Sequence, residues 1–195
     1  MCGNCEYNFP DGSGITALLK LKYEIKVERI TGNDLFLIIL SNANLLRLKV
    51  AFVGSTIEAL KKIQIKIAKE FPALIICCTL SPDYNFESDF EKNIKLVNEL
   101  KNAKPDILFL ALGSPRQEIW LAKYKDTIGA KINMGVGAVF DFYSGTKARS
   151  PEFLQKFGLE WLWRLFNEPG RLFRRYIISD IPFFIKEYFR IKFQR

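Results

Sequence analysis

Gly113-Ser114-Pro115-Arg116-Gln117-Glu118 and, one helix-like and one strand-like run later, Gly135-Val136-Gly137-Ala138-Val139-Phe140-Asp141-Phe142-Tyr143-Ser144-Gly145 decide how this chain folds. Each glycine cluster follows an apolar run, residues 107–112 and 132–136, that reads as a buried strand. In an open α/β sheet, ligands sit just beyond the carboxyl ends of the strands. Glycine there lets backbone approach a ligand closely and leaves N–H groups for phosphate. Pro115 suits the first turn of a following helix. On spacing alone, two ordinary strand-to-helix turns explain both clusters. Gln117 and Asp141, polar residues placed one at each turn, are the first sign of something more.

Outward from this stretch, the same alternation runs back through the chain. Residues 106–112 are the strand feeding the first cluster, and 86–103 read as the helix before it. Residues 74–80 are a further strand. Residues 56–71 form an amphipathic helix, with Ile57, Leu60, Ile63 and Ile67 at helical spacing. Residues 48–53 are a strand ending at Gly54-Ser55. Strands alternating with helices over short connections predict a mostly parallel α/β sheet covered by helices. Residues 35–46 read as a buried helix whose β-branched content leaves a strand open, entered through a cap at Thr31 or Asn33. Pro10-Asp11-Gly12-Ser13-Gly14 is a turn-rich loop carrying a carboxylate. The commoner role for such an aspartate is a helix N-cap.

Beyond Gly145 the pattern changes to a helical tail at 152–157, 159–167 and 171–178, broken at Pro169-Gly170 and again at Pro182. The domain line is therefore drawn between a core at 1–148 and an appendage at 149–195. Leu159, Trp163 and Phe166 share a helix face expected to dock on the core. Arg171, Arg174 and Arg175 lie at i, i+3 and i+4 and can share another. Residues 183–193 mix Phe183, Phe184, Tyr188, Phe189 and Phe193 with Lys186, Arg190 and Lys192. Aromatics that grip an interface beside cations for anionic headgroups predict a monotopic membrane segment. The plainer alternative is a solvated basic helix packed on a partner.

Composition narrows the chemistry. The 195 residues are 49% apolar and 26% charged, which suits one globular domain with an appendage. No unbroken apolar run is longer than that at 35–40, far short of the ~20 residues a bilayer requires. The amino terminus shows neither the basic start nor the apolar core of a secretion signal, so residence in the cytoplasm is expected. The chain has no histidine. Ser-His-Asp and Cys-His catalysis and His-ligated metals are thereby excluded, and proton transfer falls to carboxylates, Cys, Lys or Tyr. Cys2 and Cys5 have C-x-x-C spacing without a second pair, and Cys77 and Cys78 read as packed thiols in a strand. Of the net charge of +8, residues 146–195 carry +6. Such a basic end points to an anionic surface, lipid or nucleic acid. The neighbouring interface-type aromatics, and the lack of any nucleic-acid motif, favour lipid over RNA or DNA.

The chain holds no D-x-D pair to carry a divalent metal on a diphosphate and no Walker lysine loop. Arginines are the natural substitute for metal on a departing diphosphate, and a carboxylate can take the proton from an attacking sugar hydroxyl. Composition permits that chemistry without demanding it.

Five motifs in one order and spacing go further: Asp11-Gly12-x-Gly14, Arg29-Ile30-Thr31-Gly32, Gly113-Ser114-Pro115-Arg116-Gln117-Glu118, Gly135-Val136-Gly137-x-x-Phe140-Asp141-Phe142, and Gly158-Leu159-Glu160-Trp161-x-x-Arg164 running on to Arg175-Tyr176. Together they resemble the WecG/TagA/CpsF glycosyltransferases, glycosyltransferase family twenty-six, over nearly the whole chain. The resemblance implies a Rossmann-like sheet domain with a helical carboxyl-terminal appendage on the inner face of the cell membrane. It implies inverting, metal-independent transfer of a sugar, without a cofactor, from a UDP-sugar to an undecaprenyl-diphosphate-linked sugar. In the TagA branch the donor is UDP-N-acetylmannosamine, the acceptor is lipid-linked N-acetylglucosamine, and the β-1,4-linked product begins wall teichoic acid linkage. By the same resemblance Asp11 is the general base, Arg29 and Gln117 hold the donor's diphosphate and sugar, and Asp141 helps bind the nucleotide. Arg164, Arg171 and Arg174 close over the leaving group. Gly54-Ser55 stands where the family usually has Gly-Gly. The family pattern also includes a further strand and helix before the Asp-Gly-x-Gly loop, whereas this chain begins almost at the loop. Either the sequence is a fragment or has a late start, or part of the sheet is lost, in which case an exposed sheet edge inviting self-association is the expectation. A catalytically impaired, lipid- or partner-binding remnant is the alternative to an active enzyme.

Overall fold

The computed structural model describes residues 5–25, 27–167 and 169–193, apart from the side chains at 152, 156, 164, 171 and 175. In chain order come α1 (Ser13–Tyr23), α2 (Gly32–Leu45), β1 (Lys49–Gly54), α3 (Ile57–Glu70), β2 (Ile75–Leu80), α4 (Phe90–Ala103), β3 (Ile107–Ala111), α5 (Arg116–Ile128), β4 (Ile132–Gly135) and α6 (Val139–Ser144). The remainder is helical: α7 (Glu152–Lys156), α8 (Glu160–Asn167), α9 (Pro169–Phe173), a π-helical stretch over Arg174–Asp180, and α10 (Ile181–Phe193). These elements group into two compact units. One comprises Met1–Asn8 and Gly32–Ala148, the other Phe9–Thr31 and Arg149–Arg195.

The first unit is the α/β domain. Its strands lie in the order β2-β1-β3-β4, every pairing parallel. Both faces are buried, as a parallel sheet with helical crossovers requires. Alternate residues divide cleanly between them. Val50 and Phe52 of β1 join Ile107 and Phe109 of β3 in a core with α2, α3 and α6. Ala51, Val53, Leu108 and Leu110 face α4 and α5. Phe36 is the hub of the first core. Its ring meets Phe109 edge-on at 4.8 Å between centroids and Tyr143 at 5.3 Å. Rings at such offsets add to the burial they already provide.

Several sequence expectations are refined. The stretch at 35–46 is a helix, which removes the strand alternative, but it is buried on one face only: Phe36, Leu40 and Ala43 are buried while Leu45 is 76% exposed. The helix expected at 86–103 is divided. A 3₁₀ turn at Phe86–Ser88 precedes Asp89, whose carboxylate accepts from the Lys92 N–H and starts α4 anew. Thr56 caps α3 through its hydroxyl, which leaves Ile57 at the first turn and exposed although Leu60, Ile63 and Ile67 are buried. Cys77 and Cys78 are free thiols on the outer strand β2. Burial pushes both up, Cys78 to about 11, so neither carries the thiolate that reactive cysteines need. Cys2 of the C-x-x-C pair lies outside the described residues.

The second unit joins α1 to the carboxyl-terminal helices. Here α1 packs on α10, and the Phe184 ring lies so close to Gly14 that an added Cβ would sit 3.0 Å from it. Gly158, at φ +71°, turns the chain between α7 and α8 against Ser13, whose hydroxyl donates to the Gly158 carbonyl at 3.0 Å. Pro169 is the first residue of α9. Pro182 is the second of α10, which follows the π-helical stretch without a gap, so the break expected there is a change of helix type rather than an end. Phe166, expected to dock, is 76% exposed. Of the arginine face expected at Arg171, Arg174 and Arg175, the side chains of Arg171 and Arg175 lie outside the described residues, and Arg174 stands at the start of the π-helical stretch. Among the described residues, no helix is long and apolar enough to cross a membrane.

Candidate active site

In the α/β unit the order in which strands are added reverses between β1 and β3. The chain steps outward from β1 to β2, then returns to the far side of β1 for β3. The loops after those two strands therefore diverge and leave a crevice at the carboxyl edge. Gly54 closes β1 at φ +102°, and Ser55 follows at φ +59°, a left-handed conformation that a residue with a Cβ seldom adopts. Three hydrogen bonds fix Ser55 there. Its N–H donates to the Ala111 carbonyl at 3.3 Å, its carbonyl accepts from the Ser81 hydroxyl at 2.7 Å, and its own hydroxyl donates to Asp141 Oδ1 at 2.8 Å.

Asp141 is thus held from two sides, since Lys147 Nζ lies 3.2 Å from its Oδ2. Its backbone carbonyl also accepts from the Ser144 and Thr146 hydroxyls. The carboxylate stands at the crevice with one oxygen fixed by a hydroxyl and the other by an ammonium, and each keeps lone-pair capacity for a ligand hydroxyl.

Gln117 is buried to 5% exposure at the start of α5. Its Oε1 accepts from the Gly137 N–H at 3.0 Å, and its Nε2 donates to Glu118 Oε1 at 3.0 Å. A Cβ at Gly135 would lie 2.8 Å from Nε2, so the glycine makes room for the amide. Gln117 shapes the Gly135–Gly137 turn, and a direct ligand contact from it is left to the second N–H of its amide. Glu118 Oε2 is buried with no hydrogen-bond partner among the described residues.

Arg116 beside it is committed elsewhere. Its Nε and Nη2 form a two-pronged pair with the Glu87 carboxylate, and its guanidinium stacks 4.6 Å from the Tyr84 ring centroid. This arginine holds the Glu87 carboxyl below its ordinary value of 4.5. A depressed folded-state value means stability present above the unfolded value and lost as pH falls through the depressed one. Glu87→Gln should therefore cost about 1–2 kcal/mol in urea unfolding at neutral pH. The deficit should hold down to the ordinary 4.5 and close below it. A deficit independent of pH would contradict the pairing.

The second unit carries Asp11 and Arg29. Gly12, not Asp11, is the N-cap residue of α1, so the aspartate is not the N-cap that the plainer reading made it. Arg29 braces the loop instead. Its Nε donates to the Asp11 carbonyl at 2.5 Å, Nη1 to the Gln155 carbonyl at 3.2 Å, and Nη2 to Glu160 Oε2 at 2.8 Å. The same Nη2 lies 3.6 Å from Asp11 Oδ1. The Asp11 side chain stays 54% exposed, so a substrate hydroxyl can reach it. Nearby, Arg149 Nη2 donates to the Thr31 hydroxyl at 3.4 Å. Arg174 is exposed in the π-helical stretch. The side chains of Arg164 and Arg171 lie outside the described residues.

The structure thus pairs Asp11 with Arg29 in one unit and sets Gln117 and Asp141 at one sheet edge in the other. Sequence reasoning gave no role to Ser55, Lys147, Glu118 or Glu160. Glu160 had a visible signal, an acid inside a basic segment and within a quoted motif. Ser55 had another, a hydroxyl directly after the glycine that ends a strand.

The whole chain, residues 1–195, matches the family model described as the Glycosyl transferase WecG/TagA/CpsF family. The chain belongs to that family. One relative is the N-acetylglucosaminyldiphosphoundecaprenol N-acetyl-beta-D-mannosaminyltransferase of Bacillus spizizenii, 30% identical over 169 residues, covering 86% of this chain and 63% of the relative. The Bacillus subtilis protein of the same name is 29% identical over 163 residues, covering 83% of this chain and 61% of its own length. This family member therefore spans about three-fifths of the length of those two relatives.

Proposed function

We propose that this family member is an inverting, metal-independent hexosyltransferase. It moves N-acetylmannosamine from a UDP donor to N-acetylglucosamine carried on undecaprenyl diphosphate, in the synthesis of teichoic acid or another cell-surface polysaccharide. The observation that carries the reading is the exposed Asp11 carboxylate, beside the guanidinium of Arg29 and one residue ahead of the N-cap of α1. The acceptor hydroxyl attacks the anomeric carbon as the bond from that carbon to the diphosphate oxygen breaks. Asp11 takes the hydroxyl proton, and UDP departs with the bonding pair. Charge growing on the diphosphate is offset by Arg164, Arg171 and Arg174. Asp141, set by Ser55 and Lys147, receives the nucleotide's hydroxyls. Gln117 and Arg29 act on the donor through the turns they hold.

A screen of UDP-sugars against a lipid-diphosphate N-acetylglucosamine acceptor, reading UDP released, tests this. Release that requires both acceptor and UDP-N-acetylmannosamine supports it. Release with no donor tried, or none that depends on acceptor, overturns it.

The appendage would hold the enzyme at the inner face of the cell membrane. Phe183, Phe189 and Phe193 are exposed on α10, and Lys186 and Lys192 supply cations there, whereas Arg190 is paired to Glu187 at 2.7 Å. A cation near an anionic bilayer contributes ~1 kcal/mol, so replacing Lys186 and Lys192 with glutamine should weaken binding to anionic vesicles roughly thirty-fold. Co-sedimentation measures it, and an equal loss on neutral vesicles would rule out the electrostatic contribution.

A further inference from the structure

Glu160 is 7% exposed in the first turn of α8, and no step of the transfer described above uses it. Burying a carboxylate costs free energy unless a cation and hydrogen bonds offset the loss of water. Its Oε2 accepts from Arg29 Nη2 at 2.8 Å. The same nitrogen stands 3.6 Å from Asp11 Oδ1, beyond hydrogen-bonding distance. One guanidinium nitrogen thus lies between two carboxylates, bonded to the buried one and short of the exposed one. Backbone carbonyls fix the rest of the group: Nε donates to that of Asp11 and Nη1 to that of Gln155. The segment that carries Glu160 is also fastened to the Asp11 loop directly. Ser13, two residues beyond Asp11, donates its hydroxyl to the carbonyl of Gly158, two residues ahead of Glu160. A Cβ at Gly158 would lie 2.7 Å from that of Ser13, so the two segments meet with no space to spare.

A guanidinium is planar, permanently charged and shaped to pair with carboxylates. Without the charge at Glu160, Nη2 is drawn across the 3.6 Å gap to Asp11. A carboxylate closed in an ion pair is a weaker base, and the paired oxygen has less lone-pair capacity for a substrate hydroxyl. We propose that Glu160 is a positioning residue: it holds Arg29 back from Asp11 and so keeps that carboxylate competent to take the acceptor proton, a role that rests on the transferase reading above. Stability alone is a weak account of the pair, because apolar side chains of similar volume stabilise as well. What apolar side chains cannot do is compete with Asp11 for a cation.

Kinetics of the full chain with a UDP-sugar donor and a lipid-diphosphate acceptor test this, alongside urea unfolding. Glu160→Gln keeps the shape and an acceptor oxygen and removes only the charge. Its kcat should fall about ten- to a hundred-fold, with donor and acceptor KM within about three-fold of the parent. Combining it with Asp11→Asn should cost nothing further. The double variant should turn over within about two-fold of Asp11→Asn alone, because both substitutions act on one proton transfer. A crystal structure of Glu160→Gln should show Arg29 Nη2 within hydrogen-bonding distance of Asp11 Oδ1. Glu160→Asp keeps the charge but withdraws it by one methylene. It carries the same cycle with a smaller loss and serves if the glutamine variant unfolds. Losses that multiply in the double variant, or that follow the unfolding midpoint, make Glu160 a structural residue and overturn the proposal. So does turnover of Glu160→Gln within about two-fold of the parent, or an unchanged gap between Arg29 and Asp11. A parent that transfers from no donor overturns the transferase reading, and the role of Glu160 with it, whereas any of the earlier failures in an active parent overturns the role of Glu160 alone.

Discussion

Asp11→Asn should lower turnover about 10²–10⁴-fold while donor KM and folding stability stay near those of the parent. The substitution keeps the shape of the side chain and the backbone carbonyl that accepts from Arg29 Nε. It replaces the carboxylate that receives the acceptor proton with a neutral amide, far too weak a base to take it. Stability should hardly change, because the carboxylate is 54% exposed and its contact to Arg29 Nη2 is 3.6 Å, a surface pair of the kind worth under ~1 kcal/mol. Arg29 retains its shorter contacts to Gln155 and Glu160, so the loop keeps its anchor. UDP release with saturating acceptor reads kcat, and urea unfolding reads stability. Turnover within about three-fold of the parent would remove Asp11 from the chemistry. Loss of turnover together with loss of stability would make it a structural residue instead. An impaired remnant would show no turnover to lose in either form.

The division between what the sequence reveals and what it conceals follows the range of each interaction. The strands are legible because burial on both faces leaves continuous apolar runs, such as residues 107–111, bounded by glycine. Helices α3 and α4 are legible because one buried face repeats every turn. Thr56 and Asp89 illustrate the limit of that pattern. Both caps act over three residues, yet only the first coincides with the end of an apolar repeat, so the break before α4 is hidden in an otherwise continuous helical run. The site is less legible, because its decisive contacts join distant residues. Ser55 and Asp141 are 86 positions apart, and Arg29 and Glu160 are 131 apart. No periodicity encodes such pairs. The motifs could place Gln117 at a strand end, but its burial between Gly135 and Gly137 depends on how β3 and β4 register, which local sequence does not specify. The grouping of α1 with the carboxyl-terminal helices is equally remote, since it depends on Phe184 finding the one position in α1 without a side chain.

Gly54→Ala should cost about 3–5 kcal/mol, a large part of the 5–15 kcal/mol that holds a domain of this size together. Two penalties coincide there. The backbone stands at φ +102°, outside the region open to residues with a Cβ. In addition, the new Cβ would lie 2.5 Å from the Ala111 carbonyl oxygen and 2.7 Å from its carbon. Those atoms belong to β3, paired in register with Gly54, and cannot rotate away as a side chain would. The strand ends must part, and Ser55, the next residue, is drawn from its bond to Asp141. Gly113→Ala separates the two penalties. That glycine is also at positive φ, +80°, but a Cβ there meets nothing within 4 Å, so the cost should be the conformational part alone, about 1–2 kcal/mol. Urea unfolding of the two variants side by side should show Gly54→Ala the more destabilised by at least about 2 kcal/mol. Donor affinity should fall with it, because the Asp141 carboxylate loses one of its two fixed partners. Equal losses in the two variants would mean that β1 and β3 approach less closely than the 2.5 Å spacing requires, and the crevice they define would need redrawing.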